Sequence, residues 1–339
     1  MKIEEHYPLE KYNSFRLPVK TRWFIEYENE EELVRILRDE YFRACNSIVI
    51  GSGSNLLFLG DYNGIILHSA IKGIALTEET GETVRLRIGA AEVWDDVVAY
   101  AVDRQWYGIE NLSGIPGECG GTAVQNIGAY GAEIKNVIEA VEAYNQHTCE
   151  KQVFSQEECR YAYRQSRFKE EGKDPYIITH IRIRLSKTPQ FALHYGDMKE
   201  QLTARYPEVT LANVRRTILA IRREKLPDPD KFGNAGSFFM NPLVSVRQWE
   251  ALREKYPAIP SFPAGQGRVK IPAAWLIEQC GFKGRSLGEA GVYAKQALVL
   301  INLGRADGQD IALLAEAIRE AVARRFDIEL MPEVKYIGS

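Results

Sequence analysis

The stretch that decides the fold is Asn111-Leu112-Ser113-Gly114-Ile115-Pro116-Gly117-Glu118-Cys119-Gly120-Gly121-Thr122-Ala123-Val124-Gln125-Asn126-Ile127-Gly128-Ala129-Tyr130-Gly131. It holds six glycines, and each one costs conformational entropy when it is ordered. The compensation expected is a set of backbone amides brought close to a ligand, with positive φ where needed. No Lys or Arg occurs from Gln105 through Ile134. A phosphate meeting this stretch is therefore expected to meet N–H dipoles rather than side-chain cations. No Gly-Lys-Ser/Thr follows, which excludes a P-loop. A long structural Ω-loop is the alternative that composition leaves open.

A second glycine-rich segment, Gly51-Ser52-Gly53-Ser54-Asn55, lies upstream, directly after the apolar run Ser47-Ile48-Val49-Ile50. That run reads as a short buried strand. Leu56 stands where a dinucleotide fingerprint has its third glycine, and no amphipathic helix follows, so the Rossmann context is missing. On turn chemistry alone the segment reads as a tight turn between two strands. The apolar bursts at 56–59 and 65–67, separated by Asp61-Tyr62-Asn63-Gly64, read as a hairpin. Taken together, the two glycine-rich segments suggest a dinucleotide held by backbone amides on a non-Rossmann scaffold.

The rest of the chain sets the frame. Its 339 residues are a soft prior for two domains, or three small ones. Lys plus Arg is 43 against 46 Asp plus Glu, so no basic nucleic-acid-binding surface is indicated. No apolar run reaches the ~18 residues of a membrane helix, and the polar start at 1–8 is unlike a secretory signal. The five cysteines are odd in number with no C-x-x-C pair, and the five histidines are scattered. No disulfide framework and no metal site are expected, and a reduced cytoplasm fits. Asn29-Glu30-Glu31-Glu32 reads as a helix start with Leu33, Ile36 and Leu37 behind it. Helical spacing also marks Trp94 to Ala101, Ala273 to Cys280 and Ile311 to Val322. Period-two alternation marks strands at 84–88 and 177–185, and 297–301 reads as a buried strand. The stretch 222–236, with two prolines and two glycines, changes the texture of the chain, and a domain boundary is expected just before it. Strands and helices mix without strict alternation, which is α+β.

The segments 50–55, 114–117 and 120–131 resemble the FAD-binding half of the UDP-N-acetylenolpyruvoylglucosamine reductases. Tyr163-Arg164, then Gly233-Asn234-Ala235-Gly236-Ser237-Phe238-Phe239, then Pro332-Glu333-Val334 match the same family in order. The resemblance runs from about Asn13 to Ile337. Tyr195-Gly196-Asp197 is similar to the longer subtype, in which an inserted loop bears a tyrosine over the substrate. Met240 stands where a basic residue is common, and Tyr293 where some members have His. The resemblance implies an α+β chain with an FAD-binding domain of the vanillyl-alcohol-oxidase type. Residues 1–70 and 71–221 would form its two subdomains, and 222–339 a C-terminal substrate domain whose last residues return to the flavin site. It implies non-covalent FAD, NADPH as hydride donor, and reduction of the enolpyruvyl ether on UDP-N-acetylglucosamine to give UDP-N-acetylmuramate for peptidoglycan. The partners would be small molecules, with no nucleic acid and no membrane, and the chain would be a cytoplasmic monomer.

Such a reaction sends hydride from flavin N5 to the terminal vinyl carbon. Negative charge then develops next door and spreads into a carboxylate, which calls for donors aimed there and an acid for the carbon. The resemblance implies Arg164 for the carboxylate, which its planar fork suits. It implies Ser237 as proton donor to carbon and Glu333 as the acidic partner that, in protonated form, donates to the enolate. By residue type alone, Arg164 and Glu333 read as exposed charges, and Ser237 after Gly236 as a turn or cap. The implied cofactor contacts are Gly51, Ser52, Gly53, Ser54, Asn55, Gly114, Ile115, Pro116, Gly117, Gly121, Thr122, Asn126, Ala129 and Arg222. The implied substrate contacts are Tyr163, Tyr195, Lys225, Asn241, Lys283 and Gln296. Cys119 is expected to be a small buried side chain rather than a covalent flavin link. An oxidase on the same scaffold and a non-enzymatic UDP-sugar sensor are the competing readings; an oxidase leaves Ser237 and Glu333 without a task.

Overall fold

The computed structural model describes residues 1–169, 175–194, 196–265 and 267–338. Its contacts divide the chain into two compact units. One comprises Met1–Tyr7, Thr21–Ser52 and Asn63–Glu224; the other comprises Pro8–Lys20, Gly53–Tyr62 and Lys225–Ser339.

Among the described residues the first unit holds two larger sheets and one of two short strands. One has four strands in the order Lys2–Pro8, Lys20–Tyr27, Tyr62–Ser69, Ser47–Ile50. The helix Glu30–Arg38 covers it and buries Leu33, Ile36 and Leu37, the spacing the sequence predicts. Asn29 caps that helix by accepting from the Glu32 amide at 2.9 Å, worth about 1 kcal/mol. The other sheet is antiparallel, with five strands in the order Lys151–Ser155, Ile138–Asn145, Tyr176–Ser186, Thr83–Gly89, Ile74–Glu79. Val84, Leu86 and Ile88 alternate into its core beside Ile181, Ile183 and Leu185. They meet Trp94, Val97, Val98 and Ala101 of the helix Trp94–Asp103. Fully buried side chains of this size each stabilise by about 1.5–3 kcal/mol. Truncating Trp94 would cost about 3–5 kcal/mol.

The second unit carries a four-stranded sheet in the order Gly233–Ser237, Val299–Asn302, Ala290–Val292, Ser286–Leu287. The helix Gly308–Phe326 turns Ile311, Leu314, Ile318 and Val322 inward and starts at a capping box of Asp307 and Asp310. The helix Ala273–Gln279 also lies where its apolar spacing puts it.

Two expectations need correction. The bursts at 56–59 and 65–67 are not a hairpin. Leu56–Phe58 pairs in parallel with Lys335–Ile337, with Leu56 opposite Lys335. Tyr62–Ser69 instead runs parallel to Ser47–Ile50. Turn residues between two apolar runs do not reveal a better partner elsewhere in the chain. Ser47–Ile50 is also less buried than its composition suggests: Val49 is 42% exposed because the strand lies at its sheet's edge. The texture change at Arg222 falls within the last turn of the helix Leu211–Lys225.

Candidate functional site

The glycine-rich stretch is not one loop. It contains a 3-10 turn at Glu110–Leu112, a helix at Cys119–Gln125 and two short paired strands at Gly128–Ala129 and Ala132–Glu133. Glycine's poor helix propensity argued against that helix, but packing decides it. Cys119 and Ala123 are fully buried in the core under the five-stranded sheet. A Cβ on Gly120 would come within 3.1 Å of the Ala90 side chain. Burial also pushes the Cys119 thiol well above its ordinary pKa, so it is a poor nucleophile.

Before the helix the backbone turns through positive φ at Gly114 and Gly117, 70° and 122°. Side chains fix this turn. The Gly114 amide donates to Asp95 Oδ1 at 2.6 Å, and Arg215 forks onto the same carboxylate at 2.5 and 2.9 Å. Burial alone would raise the Asp95 pKa, but Arg215 and the Gly114 amide hold it below its ordinary value. Trp94 Nε1 donates to the Leu112 carbonyl at 3.1 Å. The amides of Ile115, Gly117 and Gly121 donate to no main-chain carbonyl among the described residues, and a Cβ on Gly121 would meet open space.

The stretch carries no cation of its own, but the fold brings one beside it. Arg222, from the helix Leu211–Lys225, lies beside the turn: a Cβ on Gly114 would sit 3.1 Å from its Nε. Arg222 is half-buried, and the Asp95 carboxylate acts on its charge. Burial lowers its pKa. A desolvated cation beside open amide donors fits an anionic group. The residues present therefore suit the diphosphate of a flavin dinucleotide.

The first glycine segment has a different logic. The space a Gly51 side chain would take is filled by the Glu118 carboxylate, with Oε2 2.9 Å from the Cβ position. In the second unit, Gly53 has φ 70° and its Cβ would run into the Tyr12 carbonyl. Close packing against backbone requires glycine at 53, whereas at 51 the neighbour is the mobile end of a side chain.

Several implied cofactor contacts turn their side chains inward. Asn126, with φ 44°, donates to the Ala162 carbonyl at 2.8 Å and to Glu133 Oε2 at 3.0 Å. Its Oδ1 accepts from the Lys135 amide at 3.3 Å. Thr122 Oγ1 donates to the Cys119 carbonyl at 2.7 Å. Ala129 pairs with Ala132. These contacts order the stretch so that it can hold Arg164. Arg164 donates through Nη2 to the Gly128 carbonyl at 2.7 Å and through Nη1 to the Asn126 carbonyl at 3.4 Å. Its guanidinium lies 5.5 Å from the Tyr163 ring centroid.

In the second unit, Gly236 at φ 68° accompanies a register shift between Asn234 and Ser237. Ser237 is left exposed, while Phe238 and Phe239 are buried. The Phe238 carbonyl accepts from the Glu333 amide at 2.8 Å, and Phe239 bridges to Pro332. The backbone beside Ser237 and the backbone of Glu333, far apart in sequence, are therefore joined by an isolated bridge and a hydrogen bond. Asn55 Nδ2 donates to the Glu333 carbonyl at 3.1 Å, and the Lys335 amide donates back to the Asn55 carbonyl at 3.1 Å. Asn241 Oδ1 accepts from the Ala273 amide at 2.9 Å, and Gln296 Oε1 from the Leu298 amide at 3.3 Å. Lys283 pairs with Glu278 at 2.8 Å. Lys225 is exposed at a helix end. Tyr195 lies outside the described residues. Sequence reasoning did not single out the contacts that Asp95, Arg215, Glu118 and His68 make around the glycine-rich stretch. The one signal for Glu118 was a lone carboxylate in a stretch without cations.

Comparison with known proteins is consistent along the whole chain. Residues 22–147 match the FAD binding domain family, and 228–337 match the C-terminal domain of UDP-N-acetylenolpyruvoylglucosamine reductase. The UDP-N-acetylenolpyruvoylglucosamine reductase of Porphyromonas gingivalis is 49% identical over 337 residues, 99% of this chain and 100% of that protein. That of Bacteroides fragilis is 48% identical over 336 residues, with the same coverage. Among solved structures, the UDP-N-acetylenolpyruvylglucosamine reductase of Thermus caldophilus superposes with a TM-score of 0.71 at 22% identity, covering both chains fully. The 6-hydroxy-D-nicotine oxidase of Arthrobacter nicotinovorans gives 0.53 at 12% identity, over 95% of this chain and 85% of that one. The structural likenesses speak for the fold: an FAD-binding domain of the vanillyl-alcohol-oxidase type with a C-terminal α+β domain.

Proposed function

This chain belongs to the UDP-N-acetylenolpyruvoylglucosamine reductase family, and on that premise we propose how its own residues divide the reaction. The protein is an FAD-dependent oxidoreductase of peptidoglycan precursor synthesis. It reduces the enolpyruvyl ether of UDP-N-acetylglucosamine-enolpyruvate to UDP-N-acetylmuramate, with NADPH as hydride donor. When bound, FAD supplies the hydride that reaches the terminal vinyl carbon.

Arg222 and the open amides of Ile115, Gly117 and Gly121 hold the dinucleotide's anionic groups. Arg164 stabilises the charge that spreads into the substrate carboxylate. The Gly128 and Asn126 carbonyls fix its guanidinium beforehand, so little reorganisation is needed as charge develops. Ser237 gives its hydroxyl proton to the carbon next to the reduced one. Glu333 is its acidic partner, and Asn55 fixes the backbone that carries it. Lys225, Tyr163, Asn241, Lys283, Gln296 and Tyr195 are assigned to the nucleotide sugar.

The observation that supports this reading most is the hydrogen bond from the Glu333 amide to the Phe238 carbonyl, which joins the backbone of Glu333 to that of the residue after Ser237. Ser237→Ala tests it. Turnover of the enolpyruvyl sugar should fall by roughly 10²–10⁴-fold, the usual weight of a general acid. Anaerobic NADPH should still bleach the flavin at the wild-type rate. Unchanged turnover would remove Ser237 from the mechanism. We further propose a cytoplasmic monomer. The five free thiols suit a reducing compartment.

A further inference from the structure

Glu118 is the single acidic residue in the stretch 111–131, and it adjoins the amides assigned to the diphosphate. A carboxylate there opposes a phosphate ligand unless it is turned aside. Contacts within the first unit hold it aside. Glu118 Oε1 lies 3.4 Å from His68 Nε2, and His68 Nδ1 lies 2.9 Å from Glu26 Oε2. The imidazole is nearly buried and stacks on Phe24, with ring centroids 5.9 Å apart. Glu118 Oε2 rests in the space left by the missing side chain of Gly51. The chain from Glu26 through His68 to Glu118 thus runs from the four-stranded sheet to the glycine-rich stretch, and Gly51 is the notch that receives its end.

We propose that His68 is a positioning residue for FAD: it holds the Glu118 carboxylate in the Gly51 notch, so that the glycine-rich stretch can accept an anionic diphosphate. The inference rests on the reading that this stretch holds FAD.

Deflavinated protein titrated with FAD, followed by flavin fluorescence, tests it. His68→Ala should weaken FAD binding by about tenfold or more, because a carboxylate released from the notch then faces the diphosphate. Glu118→Gln alone should bind FAD at least as tightly as wild type. The double variant His68→Ala/Glu118→Gln should recover most of the lost affinity, a rescue that a merely structural histidine would not give. Riboflavin, which lacks the diphosphate, should bind all variants alike. His68→Gln, which keeps a donor of similar reach, serves if the alanine variant does not fold. Wild-type FAD affinity in His68→Ala, or no recovery in the double variant, would overturn the inference and leave the FAD reading standing. Wild-type protein that takes up no FAD would overturn the FAD reading itself.

Discussion

Glu142 is 1% exposed yet charged, because three cations converge on it: Arg87 Nη2 at 2.8 Å, Lys151 Nζ at 2.8 Å and Arg182 Nε at 2.7 Å. Glu30 and His180 complete the cluster, and the three ligand atoms of Glu30, Glu142 and His180 lie within 4.8 Å of one another. That donor set resembles a metal site in geometry only, since side-chain cations already neutralise the carboxylates. Burial by itself would raise the Glu142 pKa, but Arg87, Lys151 and Arg182 hold it far below its ordinary 4.5. A carboxyl depressed in the folded state contributes stability that is full above its unfolded value and is lost as pH falls toward its folded one. Thermal stability is therefore expected to drop as pH falls below about 4.5, and Glu142→Gln to lack part of that drop. At pH 7 the same variant should lose about 3 kcal/mol, the low end for a broken buried pair, because its cations are partly exposed. Melting curves between pH 3 and 7 check both; parallel acid profiles would exclude this account. Little of this was legible in the sequence. Glu142 and Arg182 lie on neighbouring strands, and Arg87 on the next, and pairing of that kind is invisible to residue type.

At the scale of elements, legibility follows periodicity. The helix Gly308–Phe326 was legible because its apolar positions repeat along one face. The helix Cys119–Gln125 was not, because its glycines suppress propensity while packing on Ala90 holds it in place. Gly308 shows how tightly an element end can be specified: a Cβ there would collide with the Phe58 carbonyl. Gly308→Ala should therefore destabilise by about 1–3 kcal/mol, as overpacking does, although alanine is the better helix former. Asp307→Ala, which only breaks the cap, should cost about 1 kcal/mol. Chemical denaturation of the two variants ranks them; a stabilised Gly308→Ala would show that the strand Leu56–Phe58 yields easily.

At the scale of the whole molecule, cofactor and stability are linked. A ligand that binds only the folded state adds about 2.7 kcal/mol at one hundred times its Kd. The deflavinated protein should melt several degrees below the protein saturated with FAD, and equal melting temperatures would argue against specific uptake. The sequence by itself determined which faces are buried, where the amphipathic helices and alternating strands run, and, through its ordered motifs, the family and the chemistry to expect. Only the tertiary structure decided the partners. It set the strand at 56–58 beside the one at 335–337, Asn55 under Glu333, Arg222 beside Gly114, and Glu118 in the notch at Gly51. The reason is physical: periodicity reports that a side chain leaves water, whereas the neighbour it meets is chosen by close packing and hydrogen-bond satisfaction across the folded chain.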